Sequence, residues 1–108
     1  MSDAAHRLRK AAIERAAQGA ATTPAPDRRA AFDNRDVPAA AAALIDKVAR
    51  NAWKVTDEDV AAAKAAGLSE DAIFELAVTA AMGQATRQLD SALAAVDAAF
   101  APAAKESA

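Results

Sequence analysis

The 108 residues carry a net charge of −2, and 54% of them are hydrophobic, 37 being alanine. Alanine favours helix but buries little apolar area, so we expect one strongly helical domain with a small core. Cysteine is absent, which excludes disulfides and thiol chemistry. The low net charge creates no overall field for nucleic acid or membrane. A chain short of core without disulfides is expected to bury apolar surface between subunits, as a homo-oligomer.

Other function classes lack their usual signals. No apolar run is long enough to span a bilayer, and charges such as Asp3, Arg7 and Arg9 interrupt the N-terminal segment, so a cytoplasmic location is expected. His6 is the only histidine and no carboxylate cluster accompanies it, so no metal is expected. The three glycines form no phosphate-binding loop, and the sequence predicts no cofactor.

The first third of the chain divides into a helix and a linker. Residues 3–18 are predicted to be helical, with a thin apolar stripe made by Ala5, Leu8, Ala12 and Ala16, with Ile13 beside it. Residues 19–36 contain Gly19, Pro24 and Pro26 and are predicted to form a linker or extended arm that touches another element through Phe32. Residues 1–36 carry a net charge of +2 and residues 37–108 carry −4, so we expect this arm to fold back on its own domain or a neighbour's.

The remainder, 37–101, is predicted to be the helical core, followed by a flexible tail at 102–108. Asp36 is the predicted N-cap of a helix that has Pro38 in its first turn and extends to about Trp53.

Two further helix starts follow. Thr56 and Asp59 have the spacing of a capping box, with Val55 and Val60 as a hydrophobic staple. That helix is expected to end at Gly67, and Ser69 is expected to cap the next one.

The last helix is predicted to be the longest, from about Glu70 to Ala99. At 100° per residue one apolar stripe follows it, formed by Val78, Met82, Ala85, Leu89, Leu93, Val96 and Phe100. Ile73, Phe74 and Leu76 add apolar side chains on other faces, so its first half is expected to be buried and its second half to be a surface or interface helix. The fold class is therefore all-α, with about four helices, a long C-terminal helix and an N-terminal helical arm.

Glu75 is the main candidate functional residue, because its spacing places it on the apolar stripe, seven residues before Met82. A carboxylate in that position must be paired, hydrogen-bonded or protonated. The candidate partners are Arg50, Lys47, Arg87 and the indole N–H of Trp53. Two interpretations stay open: a structural ion pair or subunit contact, and a perturbed carboxylate at a functional site.

The other candidates are Trp53, Arg50 and Arg87. Trp53 is interpreted as a core or interface anchor, with a ligand pocket as the alternative. Arg87, with Gln84 and Gln88, is expected on a solvated or interfacial face. The N-terminal basic residues are diluted by acidic ones, so nucleic-acid binding is not expected.

Residues 55–93 resemble the AhpD-like, carboxymuconolactone decarboxylase superfamily. The resemblance is strongest from Ala66 to Leu76, where a helix ends in a Gly-Leu-Ser turn before a long helix that begins Glu-Asp-Ala-Ile. It implies small helical protomers that assemble through long helices as dimers, trimers or hexamers.

The chain departs from the peroxidase branch of that superfamily. The Cys-x-x-Cys pair and histidine of that branch are missing from Trp53 to Ala66, so no peroxidase residue carries over. The sequence predicts a non-catalytic, self-associating helical protein, an accessory or interaction subunit. The alternative is a small-molecule-binding protein or enzyme that uses Glu75 in a helical pocket.

Overall fold

The computed structural model describes residues 3–18 and 21–101, and within them every regular element is a helix. The elements, in chain order, are α1 (Asp3–Gln18), α2 (Ala25–Asp33), α3 (Ala39–Asn51), a short 3₁₀ helix (Ala52–Lys54), α4 (Asp57–Ala65) and α5 (Glu70–Ala99). The all-α class and the long C-terminal helix are thus confirmed. The predicted tail at 102–108 lies outside the described residues.

Helix α1 has the predicted extent, but its predicted apolar stripe is largely on the surface. The side chain of Leu8 is exposed, as is Ala12, and Ile13 is half-buried. The side chains of Ala5 and Ala16 lie outside the described set. Helix α1 contacts α2 and, more sparsely, α5.

The linker predicted at 19–36 instead contains helix α2, from Ala25 to Asp33. Pro24 is the N-cap residue and Pro26 lies in the first turn, where a missing N–H and a fixed φ are tolerated. The two prolines therefore begin a helix. Phe32 does make the predicted contact with another element, and its side chain is buried.

Helix α3 begins two residues later than predicted. Asp36 has a left-handed φ of 58°, and Pro38 is the N-cap. A residue that precedes proline is disfavoured in the helical region, so Val37 cannot be the first helical residue. Helix α3 ends at Asn51, and the 3₁₀ turn that follows contains Trp53.

The boundaries of α4 and α5 follow the predicted capping chemistry. The Thr56 hydroxyl accepts from the Asp59 N–H, and the Asp59 carboxylate accepts from the Thr56 N–H at 2.9 Å. Gly67 has a φ of 109°, and the N–H groups of Gly67 and Leu68 donate to the carbonyls of Lys64 and Ala63. These bonds form a Schellman motif. Ser69 Oγ then accepts from the Ala72 N–H at 3.1 Å and caps α5.

The core is formed mainly by α2, α3 and the first half of α5. Ile45 is the only large side chain with less than 2% exposure among the described residues. The rest of the core is small or partly covered, and its buried apolar members are Ala31, Phe32, Ala41, Leu44, Ala49, Ala63, Ala72, Ile73, Leu76 and Ala80. The thin core expected from the alanine content is confirmed.

Helix α5 faces this core with residues spaced three and four apart. Ile73, Leu76, Ala80 and Gly83 are buried. Gly83 allows α2 to cross closely, because a Cβ there would lie 2.7 Å from the carbonyl carbon of Phe32. The first half of α5 is thus central, as predicted, except that the side chain of Phe74 is exposed.

Candidate functional site

The Glu75 carboxylate binds the turn between α1 and α2. Its Oε1 accepts from the Thr23 N–H and from Thr23 Oγ1, both at 2.8 Å, and its Oε2 accepts from the Thr22 N–H at 3.0 Å. We call these three bonds the Glu75 clasp. It joins residues more than fifty positions apart and attaches the turn to the middle of the first half of α5.

The clasp stabilises the ionised form of Glu75. The Thr23 N–H, with its hydroxyl and the Thr22 N–H, lowers the pKa of Glu75 from 4.5 to about 2, against the opposing effect of burial. Both carboxylate oxygens already accept hydrogen bonds. Near neutral pH the group therefore holds no proton to donate, and its low pKa makes it a poor base.

The Glu75 carboxylate does not bind the predicted partners, and the three charged ones among them bind elsewhere. Lys47 pairs with Asp59 at 2.9 Å, and Arg50 pairs with Asp46 at 2.8 Å. Arg87 donates to the Phe32 carbonyl oxygen at 2.7 Å. The carboxylate is hydrogen-bonded, one of the three outcomes expected, but its donors are main-chain N–H groups and a hydroxyl.

Trp53 does not anchor the core of the protomer. Its side chain is 81% exposed, and the ammonium of Lys54 lies 4.9 Å from the ring centroid. The core interpretation of Trp53 is therefore wrong, because the 3₁₀ turn at 52–54 leaves the indole exposed, while an interface role stays a prediction.

The four candidate residues do not form one site. Trp53 and Arg50 line the same shallow groove with Gln84 and Gln88, and Arg50 and Arg87 line a second, polar groove with Asp33 and Asn34. Glu75 lines neither. Arg50 is exposed in its pair with Asp46, which is worth little in solvent.

Glu75 lines a pocket of about 200 Å³ where the turn meets α5. Two arginines, Arg15 and Arg28, line it with the apolar side chains of Phe74 and Val78. Arg28 is only 4% exposed. The pocket therefore combines cationic groups with an apolar wall beside a carboxylate that is already satisfied.

The most extensive unpaired feature is the face of α5 turned away from the core. We define the outer stripe as Phe74, Val78, Met82, Ala85, Leu89, Leu93, Val96 and Phe100. It differs from the stripe of the sequence analysis only by the addition of Phe74. Val78 lies about 200° around the helix from the buried Leu76 and Ala80.

The outer stripe is partly covered by α1 and otherwise exposed. Phe74, Val78, Val96 and Phe100 are between 40% and 82% exposed. Ile13 of α1 and the central stripe residues Met82, Ala85 and Leu89 line an apolar groove of about 210 Å³. The sequence analysis did not predict this groove, because the only local signal was the weak apolar pattern of α1.

The described residues contain neither a metal-binding cluster nor a membrane-spanning helix. Within 3–18 and 21–101, no three His, Asp or Glu side chains come together as a set able to hold a metal ion. None of the helices in that part of the chain combines the length and apolar content needed to cross a bilayer.

Comparison with protein families, curated proteins and solved structures finds no match for this chain. The AhpD-like resemblance therefore stays a prediction.

Proposed function

We propose that this protein is a non-catalytic, self-associating helical protein that works as an accessory or interaction subunit. The observation that carries the proposal is the outer stripe, an apolar face of α5 that the fold of one protomer covers only in part. A contiguous exposed apolar surface on a small domain marks an interaction site.

The balance between core and surface supports self-association. The protomer buries few large side chains, whereas Phe74 and Phe100 are among its largest apolar residues and are 68% and 82% exposed. Covering a large apolar side chain fully contributes about 1.5–3 kcal/mol. Pairing the outer stripe would therefore supply apolar burial that the protomer lacks.

The state of Glu75 supports the non-catalytic part of the proposal. Its carboxylate has a pKa of about 2 and makes three hydrogen bonds that hold the α1–α2 turn. These properties suit a structural attachment better than proton transfer.

The cytoplasmic location and the relationship to the AhpD-like superfamily belong to the same proposal. The chain either descends from that superfamily or imitates it, and it keeps the helical architecture without the thiol chemistry. A Gly-Leu-Ser turn between α4 and the long α5 supports the relationship.

Sedimentation velocity over a range of micromolar concentrations tests self-association. We expect a concentration-dependent oligomer for the parent chain and a monomer for Val96→Glu, because Val96 lies exposed on the outer stripe. The matched control is Ala94→Glu, an exposed alanine on the other side of α5, which should stay associated. A parent chain that remains monomeric at every concentration would overturn the proposal.

A second candidate function is binding of a small anion with an apolar portion in the pocket beside Glu75. Arg15 favours it, because its exposed guanidinium lines the pocket and guanidinium groups bind carboxylates and phosphates well. A thermal-shift screen with benzoate, decanoate and phenyl phosphate tests it, with Arg15→Met as the comparison. No stabilisation at millimolar concentration, or equal shifts in both chains, would eliminate this candidate.

A further inference from the structure

We infer that two copies of this chain pair antiparallel through the second half of α5, with Leu89 of each facing Ala92 of the other and Phe100 of each in the partner's α1–α5 groove. This inference rests on the proposed self-association and specifies its geometry. It is carried by the size pattern of the outer stripe, the position of the groove and the charges of the two helices.

The size pattern favours an antiparallel pair. Large residues repeat every seven positions at Met82, Leu89 and Val96, and the residue three positions after each is an alanine. In a parallel pair, equivalent positions face one another, so alanine would face alanine and leave gaps. In an antiparallel pair each large side chain faces an alanine, and the layers fill evenly.

The alanines that alternate with these large residues are Ala85, Ala92 and Ala99. The inferred alignment places Met82 opposite Ala99, Leu89 opposite Ala92, and Val96 opposite Ala85, and symmetry repeats each contact. The overlap from 82 to 99 is about 27 Å long at 1.5 Å per residue.

Phe100 gives this alignment an anchor. It follows Ala99, which the inferred alignment places opposite Met82 of the second copy. Phe100 therefore lies beside the apolar groove of that copy, which is lined by Ile13, Met82 and Leu89. Phe100 also lies on the flank of α5 shared with Thr86, a groove residue, and equivalent flanks meet in an antiparallel pair. An exposed aromatic that enters an apolar groove is typical of an interface hot spot.

Neighbouring alignments are less favourable. A shift of one heptad toward the N-terminus would place Glu75 opposite Ala99, where the Thr22–Thr23 turn already occupies the carboxylate. A shift of one heptad the other way would remove Met82 from the contact. The inferred alignment is the longest overlap that stays clear of the clasp.

The charges of the two helices agree with this arrangement. Helix α1 has a net charge of +2, whereas residues 91–99 of α5 contain Asp97 and no basic residue. The C-terminal end of a helix also has a partial negative charge. Antiparallel pairing brings this end of each α5 beside α1 of the other copy.

Each copy contributes mainly one helix segment, residues 82–99, to the contact. We expect it to bury less surface than a standard protein interface, which buries about 1,600 Å². We therefore expect a dimer with a dissociation constant of about 1 μM, which separates on dilution.

Because the chain has no cysteine, disulfide trapping tests the alignment directly. Two single variants, Ala85→Cys and Val96→Cys, are mixed as folded proteins and oxidised, and the products are identified by intact mass. The inferred alignment places these positions opposite each other, whereas equivalent positions lie about 16 Å apart along the axis, far beyond the 7 Å reach of a disulfide. We expect the yield of the disulfide-linked mixed dimer to exceed the yield of either linked homodimer at least about tenfold, after correction for statistical mixing.

The control replaces Val96→Cys with Ala94→Cys, which lies on the other side of α5 and should give no preferred mixed product. In a second measurement, Phe100→Ala should raise the dissociation constant at least about tenfold, and Ala94→Ser should not change it. Both substituted side chains are exposed in the protomer, so the fold should be retained.

The outcomes separate the two proposals. If sedimentation shows a dimer but the mixed product is not favoured, or Phe100→Ala dissociates like the parent, the inferred alignment is wrong and self-association stands. If the parent chain is a monomer, both proposals fail.

Discussion

The crossing of α2 over Gly83 makes an unusual prediction, because a substitution that normally stabilises a helix should destabilise this protein. Replacing glycine with alanine inside a helix gains about 1 kcal/mol from backbone entropy. In Gly83→Ala, however, the new Cβ would lie 2.7 Å from the Phe32 carbonyl carbon and 3.0 Å from its Cα. These atoms belong to the backbone of α2 and cannot move away as a flexible side chain could.

Because the Phe32 carbonyl oxygen would lie closer to the new Cβ than either of these atoms, α2 must move away from α5 by more than about 1 Å to restore ordinary contact. Overpacking of this kind costs about 1–3 kcal/mol. The same movement lengthens the 2.7 Å bond from Arg87 to the Phe32 carbonyl oxygen, a charged hydrogen bond worth about 1.5–3 kcal/mol. After the gain in helix propensity, the net loss is about 2 kcal/mol, which lowers the Tm by roughly 8–15 °C for a domain of this size.

Thermal unfolding followed by far-UV circular dichroism measures this effect, with all chains at one concentration because the proposed self-association would make Tm depend on concentration. Ser91→Ala is the control, since Ser91 is exposed in the same helix and should show only the gain in helix propensity. A Tm for Gly83→Ala at or above that of the parent would refute the close crossing of α2 and α5.

Three further predictions concern single positions. Because folding lowers the pKa of Glu75 from 4.5 to about 2, its stabilising contribution is complete above pH 4.5 and is lost as the pH falls toward 2. Glu75→Gln should therefore have a lower Tm than the parent chain at neutral pH, and its Tm should fall less than that of the parent between pH 4.5 and 2. Parallel curves of Tm against pH for the two chains would contradict the clasp. Thr56→Ala removes the N-cap of α4 and should cost about 1 kcal/mol in chemical denaturation, with Thr56→Ser close to the parent; equal losses in both would argue against capping. Trp53→Ala should change protomer stability by less than about 0.5 kcal/mol, since the indole is 81% exposed, and a loss of several kcal/mol would show that the ring is covered.

The sequence predicted those features whose cause is local. Thr56, Gly67 and Ser69 act on backbone groups within a few residues, and the structure has each of them in the expected role. The extent of α5 was predicted for the same reason, because a cap at one end and Pro102 beyond the other are visible in the chain itself.

Helix α2 was missed although its signal was present. Pro24 and Pro26 are typical both of a linker and of a helix start, and the charged residues that follow show no apolar period. The deciding contacts are those of Ala31 and Phe32 with α5, which are tertiary. A prediction from local pattern alone could not distinguish the two interpretations.

The environment of Glu75 could be predicted only in part. Its spacing showed that the carboxylate lies on an apolar face and needs hydrogen-bond donors. The donors are the N–H groups of Thr22 and Thr23 and the Thr23 hydroxyl. Every residue except proline carries an N–H group, and no local pattern marks this hydroxyl among the others in the chain, so nothing in the sequence distinguishes these donors. The charged side chains predicted as its partners, among them Arg50 and Arg87, have other partners.

The Glu75 clasp also has a consequence for the order of folding. It closes a loop of more than fifty residues with three hydrogen bonds that involve only three residues, so the entropy of loop closure opposes it until other contacts have brought the ends together. We expect the packing of α2 and α3 on α5 to shorten that loop first, and the clasp to form after it. The amide hydrogens of Thr22 and Thr23 are bonded only to the Glu75 carboxylate, so their exchange with solvent should slow only when the N-terminal third has docked, which makes them a residue-specific reporter of the completed fold.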